Sequence, residues 1–254
     1  MNPDVTLADF IEFFGKTKEE MLSEIKIDDN EIRRQVYKEV NPKCESDARK
    51  MYTIPSYATM YLRAVVDNYF SIIENDSNKN FSLQGYGAEM IYRTALDHLN
   101  KEVSILDYGC GSAIYSLNLY FMGFKNITVA DIPHSHFKFL EFLCKKYGVG
   151  IKFIPIEKEF ADLQDDYDYI ICSEVLEHVW NPDIVIQHLS KHLKPGGYMY
   201  LSTFFNDMNG HDPLHLKHNN IYQYVERWFR IVDSTGLKRT FNDKNGVLKI
   251  FQKS

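Results

Sequence analysis

The chain has 254 residues, 44% of them apolar and 25% charged, with a formal charge of −6. That length holds one large domain or a core domain with an extension, and the balance excludes a disordered or low-complexity chain. No basic stripe is present to neutralise a phosphate backbone, so nucleic acid is not an expected partner. No run approaches the ~18 apolar residues of a membrane span, and the first residues carry no basic segment followed by an apolar one. Cys44, Cys110, Cys144 and Cys172 show no C-x-x-C spacing. They predict reduced thiols in a cytoplasmic protein rather than a disulfide frame or a zinc site.

Residues 1–84 read as a helical extension. Thr17 and Glu20 form a capping-box pattern, in which each side chain satisfies the other's amide. Asp29 or Asn30 starts a helix through Val40, which Asn41-Pro42 interrupts. From 56 to 74, Tyr57, Met60, Tyr61, Ala64, Val65, Tyr69 and Ile72 recur at helical steps. Asn75 to Asn78 make a loop, and Gly85-Tyr86-Gly87 precede another helix to about Leu99. From Val103 onward β-rich runs (103–106, 127–130, 151–154, 169–172, 198–202) alternate with helical patterns (113–121, 136–147, 182–193). Apolar strands alternating with helices imply a parallel sheet. After a helix at 222–230, runs at 237–241 and 247–252 flank Asp243-Lys244-Asn245-Gly246, a hairpin signal. The expected fold is α/β: a Rossmann-like, seven-stranded sheet closed by an antiparallel hairpin over 85–254, plus the N-terminal helices.

Asp107 closes the first strand, and Gly109-Cys110-Gly111 turns into a helix. Glycines permit a sharp turn and close approach by a ligand, at the sheet edge where α/β folds bind ligands. Asp131 ends the next strand, where a carboxylate can accept bonds from both ribose hydroxyls. A dinucleotide site would show G-x-G-x-x-G. Here Ser112-Ala113-Ile114 follow, without a third glycine, and Asp107 would repel a pyrophosphate. The same charge suits a ligand bearing an ammonium and a sulfonium.

The run Asp107-Tyr108-Gly109-Cys110-Gly111-Ser112-Ala113 resembles motif I of the class I S-adenosylmethionine-dependent methyltransferases, with Ala113 in place of the last glycine. Val129-Ala130-Asp131 resembles the family's ribose-binding strand end, 168–179 its fourth strand and the segment beyond, and Leu193-Lys194-Pro195-Gly196-Gly197 its turn into the fifth strand. The resemblance covers roughly 85–254. It implies that Asp107, Gly109 and Gly111 line the methionine part of the cofactor, that Asp131 holds the ribose and that Ile132 packs on the adenine. It further implies that Glu157 or Glu159 reaches the adenine amine, that Ser173 lies beside the sulfonium and that Tyr86 touches the carboxylate. Helices before motif I often cover the acceptor in this family, which makes 1–84 the expected substrate cap.

Glu174-x-x-Glu177-His178, followed by His211, His215 and His218, forms a second constellation. On a helix, Glu174 and Glu177 or His178 would share a face, and carboxylates with imidazoles suit a divalent cation such as Mg or Mn. The pattern resembles two branches: the ubiquinone-biosynthesis O-methyltransferases, and RNA 3′-terminal 2′-O-methyltransferases in which E-x-x-E-H and a distant histidine bind metal. By that analogy Glu174, Glu177, His178 and His211 or His215 are candidate ligands. The same motif occurs in class I members without metal, as the loop beyond the fourth strand. There His178, His211 or His215 serves as general base. The remaining histidines (His98, His134, His136, His188, His192) read as surface or packing residues, the aromatics at 52–61 and 120–124 as core, and the acidic run 162–168 as a solvated loop. The expected activity is methyl transfer to a small-molecule acceptor, at oxygen rather than nitrogen. RNA 2′-O-methylation, small-molecule N-methylation and a non-catalytic binding protein that keeps the fold are the rivals.

Overall fold

The computed structural model describes residues 7–17, 19–20, 23, 29–40, 43–51, 88–203, 205, 215–216, 231–242 and 248–254. In chain order the elements are α1 (Leu7–Phe14), α2 (Asp29–Val40), α3 (Glu45–Met51), α4 (Ala88–His98), β1 (Ile105–Tyr108), α5 (Ile114–Phe121), β2 (Ile127–Asp131), α6 (Ser135–Tyr147), β3 (Lys152–Pro155), β4 (Tyr167–Ser173), α7 (Pro182–Lys191), β5 (Leu193–Ser202), β6 (Leu237–Asn242) and β7 (Leu248–Lys253). They fall into two compact units: residues 1–84 with 133–150, and residues 85–132 with 151–254. Among the described residues no helix is long and apolar enough to cross a membrane. The readings of 56–74, 75–78, 85–87, 222–230 and 243–246 lie outside the described residues, as do those of Asn41, Pro42 and Tyr52.

In the first unit the capping box forms as read. The Thr17 amide donates to Glu20 Oε2 at 2.7 Å and the Glu20 amide to Thr17 Oγ1 at 3.2 Å. α1 packs on α6 through Phe13 and Phe14, whose rings each lie 5.2 Å from that of Phe139. Beside these rings the buried Asp9 carboxylate accepts from the Tyr147 hydroxyl at 2.8 Å and pairs with Lys146 Nζ at 2.7 Å. α6 itself starts where His134 Nδ1 accepts the Phe137 amide at 3.2 Å, and stops at Gly148 with φ 66°.

The second unit is built on one seven-stranded sheet in the order β3-β2-β1-β4-β5-β7-β6. β3 to β5 pair in parallel; β7 pairs antiparallel with both β5 and β6. All four residues of β1 and all five of β2 are buried, as near-continuous apolar strands must be in a parallel sheet. The core runs through Leu106, Tyr108, Ile170, Cys172, Met199 and Leu201, with Val185, Ile186 and Leu189 of α7 against it. The chain steps from β1 outward to β2 and β3, then returns to place β4 on the other side of β1. At that reversal the connections leave in opposite directions, and open α/β sheets bind ligands beyond the carboxyl ends of the strands at such a point, here β1 and β4.

Three features differ from the sequence reading, for identifiable reasons. β1 runs to Tyr108, so Asp107 lies within the strand rather than at its end. β5 begins at Leu193 and takes in Pro195-Gly196-Gly197, read as a turn. There the β4–β5 register shifts between Tyr167 and Tyr169, and a Cβ on Gly197 would lie 2.9 Å from the Asp168 and Lys194 carbonyls. A glycine at such a bulge lets two backbones touch. Asp168, grouped with a solvated loop, instead accepts from the Ser104 amide, the Ser104 hydroxyl and Lys194 Nζ, each at 2.8 Å. Those bonds hold its carboxyl below the usual range against partial desolvation, and they tie the starts of β1, β4 and β5 together. At the same end of the sheet, the carbonyls of Leu193 and Ser190 accept from Lys253 Nζ at 2.5 and 2.7 Å. A cation there complements the negative end of the α7 dipole.

Candidate functional site

The glycine turn links β1 to α5 at the carboxyl end of β1. The Gly109 amide donates to the Ala130 carbonyl at 2.7 Å, and the Ala113 amide to the Cys110 carbonyl at 2.7 Å. Three residues take the left-handed region: Gly109 at φ 69°, Gly111 at 53° and Ala113 at 50°. The two glycines face different surroundings. A Cβ on Gly109 would lie 2.3 Å from Val175 Cγ2, whereas one on Gly111 would meet no atom within 4 Å. Gly109 is therefore needed for packing against the segment after β4, and Gly111 leaves open space.

Asp131 braces this turn. Its Oδ2 accepts the Gly111 amide and its Oδ1 the Ile132 amide, both at 2.6 Å. Asp107 is buried, and Ser116 Oγ of α5 donates to its Oδ2 at 2.8 Å. Burial pushes the Asp107 carboxyl up to about 7; the Ser116 bond opposes this and the Asp131 charge adds to it. The two carboxyl groups thus sense one another across a turn rich in left-handed backbone.

The second constellation stands beyond β4. Glu174 takes φ 56°, uncommon for a side-chain-bearing residue, and residues 176–178 form a turn rather than the helix the spacing allowed. The positive φ is held by the Glu174 amide donating to the Ser202 carbonyl at 2.8 Å. Ser202 Oγ donates to Glu174 Oε1, and Thr203 Oγ1 to Glu177 Oε2 at 2.8 Å. Glu174 keeps an exposed flank, while desolvation of its carboxyl, then the Glu177 charge, raise its pKa and the Ser202 bond opposes. Glu177 is buried at 1% exposure. The Leu216 amide donates to the Glu177 carbonyl at 3.0 Å, which draws the neighbouring His215 inward. The rings of His178 and His215 meet edge to face, 4.9 Å apart. One ligand atom from each of Glu177, His178 and His215 falls within 4.8 Å of the others, a spacing that suits one cation.

The structure thus gathers Asp107, Gly109, Gly111 and Asp131 at one turn, with Ile132 half-buried next in chain. Ser173 ends β4 directly before Glu174. Glu157 is exposed beyond β3, and Glu159 accepts from Asn181 Nδ2 at 2.7 Å at the start of α7. Tyr86, His211 and His218 lie outside the described residues. Of the other histidines, His98 stacks on Tyr198 at 5.3 Å and His188 on Phe160 at 4.3 Å, His136 is buried, and His192 faces the Asp165 carbonyl. They pack, as read. Sequence reasoning missed Ser116, Val175, Ser202 and Thr203. Only Ser202 and Thr203 carried a signal, as hydroxyls ending a strand at the sheet's carboxyl edge.

Residues 83–246 match the family model described as "Methyltransferase domain". A ubiquinone biosynthesis O-methyltransferase of Rickettsia akari (strain Hartford) is 35% identical over 118 residues, covering 45% of this chain and 47% of that protein. The chain spans about half the length of the relatives of this kind that it matches. Among solved structures, the [4+2]-cyclase SpnF is 18% identical, with a TM-score of 0.50 over 66% of this chain and 62% of its own. A methyltransferase from Pyrococcus furiosus is 13% identical, with a TM-score of 0.50 over 76% of this chain and 98% of its own. At these identities the structural likenesses speak for the fold.

Proposed function

The chain belongs to the methyltransferase-domain family, and from that membership we propose that it transfers a methyl group from S-adenosylmethionine to a small acceptor, at oxygen. The observation that carries this reading is the turn at Gly111, which opens onto free space beside the Asp131 carboxylate at the topological reversal of the sheet. The O-methyltransferase name of the sequence relatives supports an oxygen acceptor. The cyclase with the same fold is the reason activity has to be measured, since fold does not carry function.

When bound, S-adenosylmethionine supplies a methyl group on a positively charged sulfur. Asp107, Gly109 and Gly111 would hold its methionine part, and the ammonium would draw the raised Asp107 carboxyl towards its ionised form. Asp131 would receive the ribose hydroxyls, Ile132 would pack on the adenine, Glu157 or Glu159 would reach its amine, and Ser173 would stand beside the sulfonium; Tyr86, the candidate for the carboxylate, lies outside the described residues. The chain's main task is to hold the acceptor oxygen at near-attack distance in line with the methyl carbon. Glu177, His178 and His215, with Glu174 beside them, form the cation seat. Two imidazoles and a carboxylate fit Mn better than Mg, which favours oxygen ligands alone. A cation there would lower the pKa of the acceptor hydroxyl. Without one, His178, His215 or His211 takes the proton. Residues 1–84 are assigned to acceptor selectivity, and the unbridged cysteines fit a reducing, cytoplasmic setting.

Calorimetry with S-adenosylhomocysteine tests the reading. Wild-type protein binds it and ignores NAD, and D131A binds it at least about tenfold more weakly, the scale of one lost charge-assisted bond. Absence of binding to the wild type overturns the assignment, and unchanged binding to D131A removes Asp131 from the site. Labelled methyl transfer to hydroxylated acceptors, but not to amines or short RNA, supports the oxygen assignment.

A further inference from the structure

The end of β5 supports the site in a way that the site's own motifs do not reveal. Ser202 and Thr203 are adjacent, and each gives its hydroxyl to a different glutamate: Ser202 to Glu174, Thr203 to Glu177 at 2.8 Å. Both hydroxyl residues are buried, at 0% and 6% exposure, and so is Glu177 at 1%. A buried carboxylate is seldom left without donors, because an unpartnered charge there is costly. Glu177 is held at two points. Its backbone carbonyl accepts the Leu216 amide, and its carboxylate accepts the Thr203 hydroxyl. The first fixes where the residue sits, and the second fixes how the carboxylate is turned. A hydroxyl on Oε2 restricts how the carboxylate can turn, and one Glu177 oxygen lies within 4.8 Å of a ring nitrogen of His178 and of His215. Threonine suits the task, since its branched Cβ confines χ1 to few rotamers.

We propose that Thr203 is a positioning residue for the cation seat, its hydroxyl turning Glu177 so that one carboxylate oxygen faces the imidazoles of His178 and His215, while Ser202 holds the neighbouring Glu174. This rests on the cation seat proposed above. It adds that the seat's affinity is set from the end of β5 and the residue that follows it, by side chains outside the ligand set. Partners that orient metal ligands in this way contribute about 10–100-fold to metal affinity when removed.

The test is Mn2+ binding to the whole chain, followed by the paramagnetic signal of free Mn2+ and by calorimetry, with no substrate or activity involved. T203V keeps the shape of the side chain and removes the donor. T203S keeps the donor and removes the methyl group. Mn2+ affinity falls about 10–100-fold in T203V and returns to within about threefold of wild type in T203S, a rescue that loss of packing alone would not give. Wild-type affinity in T203V overturns the positioning role while leaving the seat intact. A loss as large in T203S as in T203V assigns the effect to packing and overturns it as well. If the wild type binds no Mn2+, while E177Q and H215A are equally silent, the seat and its positioning residue fall together. If T203V does not fold, T203S decides alone: near-wild-type affinity supports the role of the hydroxyl, and a tenfold loss overturns it.

Discussion

Replacing Gly109 by alanine tests the idea that packing against Val175 requires a glycine here. Two costs can be worked from the geometry. At φ 69° an alanine incurs the left-handed penalty, about 1–2 kcal/mol. Its Cβ would also lie 2.3 Å from Val175 Cγ2 and 3.0 Å from Cγ1, the nearer contact more than 1 Å inside the ~3.5–4.0 Å of an ordinary carbon pair. Val175 cannot simply swing away, because it sits between Glu174, pinned to the Ser202 carbonyl, and the buried Leu176. Overpacking of this kind costs about 1–3 kcal/mol, so G109A should lose about 2–5 kcal/mol of a total near 5–15. Urea denaturation of G109A, V175A and the double variant separates the terms. V175A removes both clashing methyl groups, so the double variant should be about 1–3 kcal/mol more stable than the sum of the single losses. Additivity within about 0.5 kcal/mol would refute the contact as the reason for glycine.

Gly111 should behave oppositely. At φ 53° with no atom within 4 Å of an added Cβ, G111A loses only about 1–2 kcal/mol of stability but at least about tenfold in S-adenosylhomocysteine affinity, if that open space seats the cofactor. Normal binding by calorimetry removes the cofactor from this place. Asp107 gives a pH signature. Its folded pKa of about 7 lies above the unfolded value near 3.9, so the folded state holds the proton longer. The contribution is full below about pH 4 and declines as pH rises through about 7, with a slope up to ~1.4 kcal/mol per pH unit. D107N should lack that decline between pH 4 and 7, as read by thermal unfolding across the range. A matching slope in D107N places the titration elsewhere.

The glycine turn was legible because its chemistry is local: a strand, two left-handed glycines and a carboxylate at the end of the next strand are all close in sequence. The reason for Gly109 was not, because Val175 belongs to the segment after β4 and meets it only through the β1–β4 pairing. Glu174, Glu177 and His178 were found by residue type, but the helical spacing was the wrong geometry. A left-handed Glu174 and a turn bring Glu177 and His178 to His215, and the donor that holds Glu174 comes from β5. Asp168 was grouped with its acidic neighbours on composition. Its partners, Ser104 and Lys194, come from elsewhere in the chain, and no local pattern announces them. Hydroxyls such as Ser202 and Thr203 are too common at strand ends to stand out until a buried carboxylate is seen opposite them.

The position of β5 between a parallel and an antiparallel neighbour has an engineering consequence. Ser202 stands opposite Ser173 of β4 and Leu248 of β7. A slip of one residue would turn every side chain of β5 to the other face, and the core would report it as lost stability. A slip of two residues would keep each apolar side chain on its proper face while carrying Ser202 and Thr203 about 6.6 Å along the sheet, away from both glutamates. Redesigns of the terminal hairpin judged by melting temperature alone would pass such a variant. The hairpin brings no motif of its own to the site, yet it acts as the gauge that sets where the two hydroxyls stop.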